Sequence, residues 1–247
     1  MDVSSFVLLS HEQALRRQLD VAANNMANTN TVGFKREQAL FHEYVEKTNA
    51  APIDDAKRTS FVLDYGAVHD SRPGSFQPTG NPLDIMIDGP GYLSIQGADG
   101  TTGYTRAGFV KVLDTGDLAV SGGQLLLGED GRKINVPREE LASLAIASDG
   151  TVSTRTGPIG RIGVFQFDEL RVSARGDGVM TGAGGTLLPA TATRLKTGGV
   201  EASNVEPIVE TTSMVEILRS YQSSMEMSSS INAMRSSAIS RLSKINN

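Results

Sequence analysis

Ala23-Asn24-Asn25-Met26-Ala27-Asn28-Thr29-Asn30-Thr31-Val32-Gly33-Phe34-Lys35 is the stretch on which the fold turns. Four asparagines fall between residues 24 and 30. Asparagine is a poor helix former, because its amide competes for nearby backbone groups. The stretch therefore reads as the place where a helix stops. Asn24 and Asn28 are i, i+4 neighbours on one face. Each amide has donors and an acceptor with which to bond backbone exposed at a helix end or on a neighbouring chain. Gly33 is placed to cap the helix in the left-handed conformation. A frayed helix end with Asx-type turns is the plainer alternative, and periodicity alone does not separate the two.

Upstream, residues 4–30 follow a helical period. Leu8, Leu15, Leu19, Ala22 and Met26 share one face, and His11 and Glu12 occupy the turn that breaks the stripe. So narrow a stripe resembles a coiled-coil seam more than a helix lying on a broad core. A helix docked on its own domain explains the stripe equally well.

At the other end, Pro207 suits a first helical position, where its missing N–H costs nothing. Ser213-Met214-Val215-Glu216 has capping-box spacing and offers a later start. The apolar stripe then runs Met214, Ile217/Leu218, Tyr221, Met225, Ser228, Ile231, Met234, Ala238, Leu242 and Ile245, with Ile239 beside it. Serine recurs on several faces. A serine-rich helix is marginal alone in water, but its small side chains let other helices approach on more than one side. A long amphipathic helix packing only on its N-terminal partner is the alternative.

All 26 glycines lie between Gly33 and Gly199. Glycine weakens a helix interior by about 1 kcal/mol relative to alanine, so two helical ends around a turn-rich middle are expected. Residues 35–75 read as an extended connector with short strands. Residues 76–198 read as β. Leu83–Ile87 alternates, and Tyr92–Gln96, Phe109–Leu113, Gln124–Leu127 and Ile159–Phe167 have strand character. Asp99-Gly100, Asp130-Gly131 and Asp149-Gly150 are hairpin signals, with Asp114-Thr115-Gly116 a variant. Gly176–Gly185 reads as a loop. The expected fold is α+β: N- and C-terminal helices (1–34 and 199–247) paired as a coiled-coil layer around a central all-β, barrel- or sandwich-like domain.

Composition narrows the function. The chain has no cysteine and a net charge of −5, which removes thiolate zinc sites, Cys nucleophiles and a basic nucleic-acid footprint. Aromatic residues make up 5% and tryptophan is absent, too few for a base-stacking platform. No stretch approaches the 18 apolar residues of a membrane span, and Asp2 replaces the basic start of a secretory signal. His11, His42 and His69 lack metal-ligand spacing. Gly182-Ala183-Gly184-Gly185 lacks the lysine of a phosphate loop, and Ser121 reads as a turn residue. No catalytic constellation, metal site or cofactor site is expected.

Residues 23–35 closely resemble the signature of bacterial flagellar rod and hook proteins, with Met26 where that pattern usually has leucine. Two further stretches resemble the same family. One is Thr79-Gly80-Asn81-Pro82-Leu83-Asp84-Ile85-Met86-Ile87-Asp88-Gly89, continuing to Tyr104-Thr105-Arg106-Ala107-Gly108. The other is Glu201-Ala202-Ser203-Asn204-Val205-Glu206, followed by Met214-Val215-Glu216 and Arg219-Ser220-Tyr221-Gln222. Phe6-Val7-Leu8-Leu9-Ser10 is similar to the first turns of the proximal-rod members; distal-rod and hook subunits are the second reading.

The resemblance implies a structural subunit that stacks helically into an axial drive shaft in the periplasm. It implies export through the flagellar type III apparatus without a cleaved signal, and partners that are copies of itself and other rod proteins. The assembly surface would comprise Leu8, Leu15, Leu19, Ala22, Asn24, Asn25, Met26, Asn28, Asn30, Gly33, Phe34 and Asn204, with Met214, Leu218, Tyr221, Met225, Ile231, Ile239 and Leu242 from the C-terminal stripe. A secreted adhesin or enzyme with helical termini is the rival class.

Overall fold

The computed structural model describes residues 3–47, 58–168, 172–176 and 178–245. The chain divides into two compact units: residues 1–26, 37–67 and 207–247 form one, and residues 27–36 and 68–206 form the other.

The first unit holds α1 (Val3–Ala27), β1 (Glu37–Lys47), β2 (Arg58–His69, leaving the unit after Ala67) and α2 (Pro207–Ile245). α2 starts at Pro207, so the earlier of the two expected starts is the one used. Its 39 residues make about 58 Å of helix at 1.5 Å per residue. β1 and β2 pair as a two-stranded sheet. The stretch read as a connector with short strands thus carries two strands of 11 and 12 residues. His42 stacks edge-on against Tyr65 across this sheet, with ring centroids 4.5 Å apart.

The second unit is β-rich. Its largest sheet has nine strands: β5 (Tyr92–Gln96), β6 (Thr102–Thr105), β7 (Val110–Val112), β8 (Leu118–Val120), β9 (Leu125–Leu126), β13 (Val164–Gln166), β14 (Val172–Gly176), β15 (Val179–Gly182) and β16 (Thr186–Leu187). The hydrogen-bonded path runs β14-β15-β6-β5-β9-β8-β7, and β13 pairs with β5 and β16. Among the described residues this path does not return on itself, so the expected barrel does not close. Smaller sheets surround it: β3 (Phe76–Pro78) with β18 (Gly199–Glu201), β4 (Ile85–Ile87) with β17 (Leu195–Thr197), and β10 (Ala145–Ile146), β11 (Thr151–Thr154) and β12 (Gly157–Arg161) in series. A short 3-10 helix covers Arg138–Ser143.

One local device makes many of the turns. In Asp99-Gly100-Thr101, Asp130-Gly131-Arg132 and Asp149-Gly150-Thr151 the Asp carboxylate accepts the N–H two residues on, at 2.9–3.1 Å. The glycine between has positive φ in each. The carboxylate fixes the turn, and glycine supplies the backbone angle other residues resist.

Apolar side chains from the strands meet in one core, in which Leu93, Ile95, Leu118, Leu126, Val152 and Ile162 are fully buried. Each such burial contributes about 1.5–3 kcal/mol. Two sequence expectations fail here. Asp84–Ile87 is buried throughout, because β4 lies covered on both faces and so does not alternate. Gly176–Gly185 is not a loop: β15 runs through it, antiparallel to β14, its glycines accepting the Phe167 ring where a Cβ would stand 2.3–2.6 Å from it.

Candidate assembly surface and junction network

Hydrogen bonds at three levels among the described residues tie α1 to α2. Asn25 Nδ2 donates to Glu210 Oε2 at 3.4 Å, Ser224 Oγ donates to Glu12 Oε1 at 3.4 Å, and Arg235 Nη1 donates to Ser5 Oγ at 2.7 Å. Partners descend along α1 as they ascend along α2, so the helices run antiparallel. On α2 the buried and half-buried positions include Glu210, Met214, Ile217, Tyr221, Ser224, Ser228, Ile231 and Arg235, a 4–3 alternation. On α1 Ser5, Leu8, Glu12, Leu15, Leu19, Ala22 and Met26 share that spacing, and Val7, Ala14, Val21 and Asn25 beside them are buried or half-buried as well.

The apolar stripe read from the sequence drifts off this seam. Glu12, where the apolar stripe of α1 breaks, accepts from Ser224 of α2. On α2 the seam takes Ser224 and Arg235, and the apolar residues beside them stay outside. Leu218 is 40% exposed, Met225 47%, Met234 62% and Ile239 68%. At 100° per residue Leu218 and Met225 lie to one side of the seam, and Met227 and Met234 to the other. Leu15 and Ala22 are buried, while Leu8, Leu19, Met26, Met214, Tyr221 and Ile231 are half-buried. Leu242 falls within α2, with its side chain outside the described residues.

Asn25 of the asparagine motif bonds backbone within the first unit. Asn25 Nδ2 donates to Glu37 O at 2.9 Å, and Glu37 N donates back to Asn25 Oδ1 at 2.8 Å. This reciprocal pair mimics a β-bridge and ties the end of α1 to the start of β1. A buried amide such as Asn25, removed, leaves two backbone groups unpaired at a cost of about 1–3 kcal/mol each. Exposed Asn24 donates to Glu37 Oε2 at 3.2 Å, and Asn28 Oδ1 accepts from Thr31 Oγ1 at 3.0 Å. Asn30 is exposed and Phe34 half-buried. α1 ends at Ala27, so Gly33 is not its cap. Gly33 does have φ +71°, and for a different reason: a Cβ there would stand 2.4 Å from the Arg106 backbone carbon.

That close approach belongs to a buried ionic cluster in the second unit. Lys35 Nζ donates to Glu201 Oε1 at 2.6 Å and to Arg72 O at 2.8 Å. Arg106 Nη1 donates to Glu201 Oε2 at 3.0 Å and Nη2 to Gly89 O at 2.8 Å. Gly74 N donates to Glu201 Oε1 and Gly33 N to Glu201 O. The guanidinium lies over Tyr92, 5.3 Å from the ring centroid. None of the three charged residues is more than 4% exposed. Burial, and then the positive charge of Arg106, push the Lys35 ammonium below its ordinary range. Alongside, Asn204 spends its whole amide: Oδ1 accepts from Arg36 N at 2.7 Å, and Nδ2 donates to Asp70 O and Arg72 O at 3.0 Å.

Lys35, Arg106, Glu201 and Asn204 come from the three sequence stretches quoted above. A fifth residue of those stretches, Asp84, is held in the same unit by Thr79 Oγ1, Asn81 Nδ2 and Val110 N. Lys35, Arg106, Glu201 and Asp84 carried no assigned role in the sequence reading, because lone charges default to the surface. Their only signal was membership of the motifs. Among the described residues no group of three or more His, Asp or Glu could hold a metal, and no helix is long and apolar enough to cross a membrane.

Comparison with known proteins agrees with this layout. Residues 10–35 match the model of the flagella basal body rod protein, 86–154 that of the flagellar hook protein FlgE/F/G D1 domain, and 196–241 that of the flagellar basal body rod FlgEFG protein C-terminal region. The chain is 36% identical to the flagellar basal-body rod protein FlgF of Caulobacter vibrioides over 100% of both chains. It is 29% identical to FlgF of Salmonella typhimurium over 94% of each. It is 32% identical to the rod protein FlgG of Bacillus subtilis, covering 89% of this chain and 91% of the relative. The chain belongs to the bacterial flagellar basal-body rod protein family, whose members are structural rod subunits rather than enzymes, and it resembles the FlgF members over its full length.

Proposed function

We propose that this chain polymerises helically, with copies of itself and other rod proteins, as the proximal segment of the flagellar drive shaft. In this reading α1 and α2 form the coiled-coil layer of the shaft and carry torque along their length. The subunit reaches its place in the periplasm through the flagellar type III export apparatus. The observation that carries the proposal is the apolar surface left outside the α1–α2 seam: Leu218 and Met225 on one side, Met227 and Met234 on the other, with Phe6 and Leu9 exposed on α1. A helix apolar on two flanks has two further neighbours to meet. Different patches facing each other generate a helical stack rather than a closed ring. The buried members of the expected surface (Leu15, Ala22, Asn25, Gly33) then hold each subunit in shape, and the exposed ones (Asn24, Asn30, Leu218, Met225, Ile239) meet the neighbours.

The second reading is a distal position, favoured by the 32% identity to an FlgG protein. Antibody labelling of the chain in isolated basal bodies decides between them. The proposal expects label at the end of the rod nearest the inner membrane. Label confined to the hook-proximal end supports the distal reading, and absence from basal bodies rejects both.

A further inference from the structure

Beside the buried cluster the second unit contains a cavity of about 100 Å³. Arg106, His69, Ser71, Tyr92, Gln166 and Phe167 line it. Three features of its wall point to one chemistry. The first is charge. Among the described residues, Lys35 and Arg106 share the carboxylate of Glu201, and the neighbouring Asp70 is matched by Arg72, so the cluster itself holds one more cation than carboxylate. The second is an unspent donor. Arg106 Nη1 and Nη2 have acceptors, but its Nε–H, buried, has none. A buried cationic donor without an acceptor favours a charged partner, since charge-assisted bonds are about twice as strong as neutral ones. The third is size. The space exceeds a single water but is far below the roughly 300–1,000 Å³ that nucleotide- or sugar-sized ligands occupy. Exposed Ser71 and Gln166 mark the rim, and Tyr92 and Phe167 supply an apolar wall.

We propose that the cavity beside Arg106 is a binding site for a single small carboxylate, which neutralises the surplus charge and accepts from Arg106 Nε. A monoanion matches a surplus of one. A phosphate dianion would replace that surplus with an excess of the opposite sign. The carboxylate comes either from a free short-chain acid or from an acidic side chain of a neighbouring protein.

Thermal unfolding of the full chain, dilute and monomeric, tests this apart from any assembly. Sodium acetate is compared with sodium chloride at equal ionic strength and pH 7. Acetate at ten times its dissociation constant is expected to raise the midpoint by about 3–6 °C over chloride. Ser71→Phe, a change at the exposed rim, is expected to remove the acetate effect, read as the difference between acetate and chloride for the variant itself. An equal shift in chloride overturns the proposal, as does an acetate shift that survives in Ser71→Phe or the absence of any shift. A parallel titration with N-acetyl-aspartate amide separates the sources: a shift matching that of acetate means that the rim admits a protein side chain, and a shift with acetate alone means a free acid.

Discussion

Glu201→Gln lowers the stability of the full chain by about 3–5 kcal/mol, the cost of breaking a buried ionic group by removing one partner. For a chain of this size that is about 6–20 °C in the unfolding midpoint. The substitution barely changes volume, so no cavity is made. It leaves Lys35 and Arg106 buried with no carboxylate between them, where burial had already made the charged Lys35 costly. The cost measures the stranded cations rather than the worth of the pair.

The pH dependence follows with a definite sign. The folded-state pKa of Lys35 lies below the 10.5 of the free side chain. Between those two values the unfolded chain binds more protons, so stability rises with pH there and is lost as pH falls through the folded value. The Glu201 charge and hydrogen bond, followed by the charge of Asp70, hold the Lys35 pKa up. Without the Glu201 charge it drops further, and the variant gains more stability than the parent as pH is raised toward 10.5. Urea unfolding at a series of pH values checks both parts. A variant within 1 kcal/mol of the parent, with a parallel pH profile, contradicts the account of the cluster.

The double variant Met225→Lys, Met234→Lys separates folding from assembly. Both methionines are about half exposed or more, and lysine is as good a helix former as methionine. The monomer should keep its stability within about 0.5 kcal/mol. In a polymer the same positions would bury unpaired ammonium groups at several kcal/mol each, repeated at every subunit contact. Cells carrying only this variant are expected to be non-motile and to lack completed rods, with the protein present at normal levels. Wild-type swimming would remove the α2 flanks from the assembly surface.

The comparison of sequence with structure turns on α2. Hydrophobicity picks out Met225 and Met234 as stripe members, and geometry picks their neighbours Ser224 and Arg235. The seam tolerates polar groups where each finds a partner, as Ser224 does in Glu12 and Arg235 in Ser5. Those partners lie more than 200 positions away in the chain, beyond the reach of local periodicity. Helical ends, Asp-Gly turns and strands such as Tyr92–Gln96 were legible because their causes are local. The Lys35–Glu201–Arg106 cluster was not, because burial of a charge depends on what the rest of the fold brings to it. The asparagine motif was half legible. Asn25 does bond backbone near the end of α1, but Asn24 donates to the Glu37 side chain and Asn28 accepts from the Thr31 side chain, and Gly33 serves the close approach to Arg106 and not a helix cap.

The chain has no cysteine, so a single introduced thiol reports on one position. The most direct test compares maleimide labelling of M225C in the monomer and in isolated basal bodies, with D130C on an exposed turn of the second unit as reference. The account predicts that M225C labels readily as a monomer and at least tenfold more slowly in the rod, relative to D130C. Equal labelling of M225C in both states would contradict the claim that the outer flanks of the α1–α2 pair are where subunits meet.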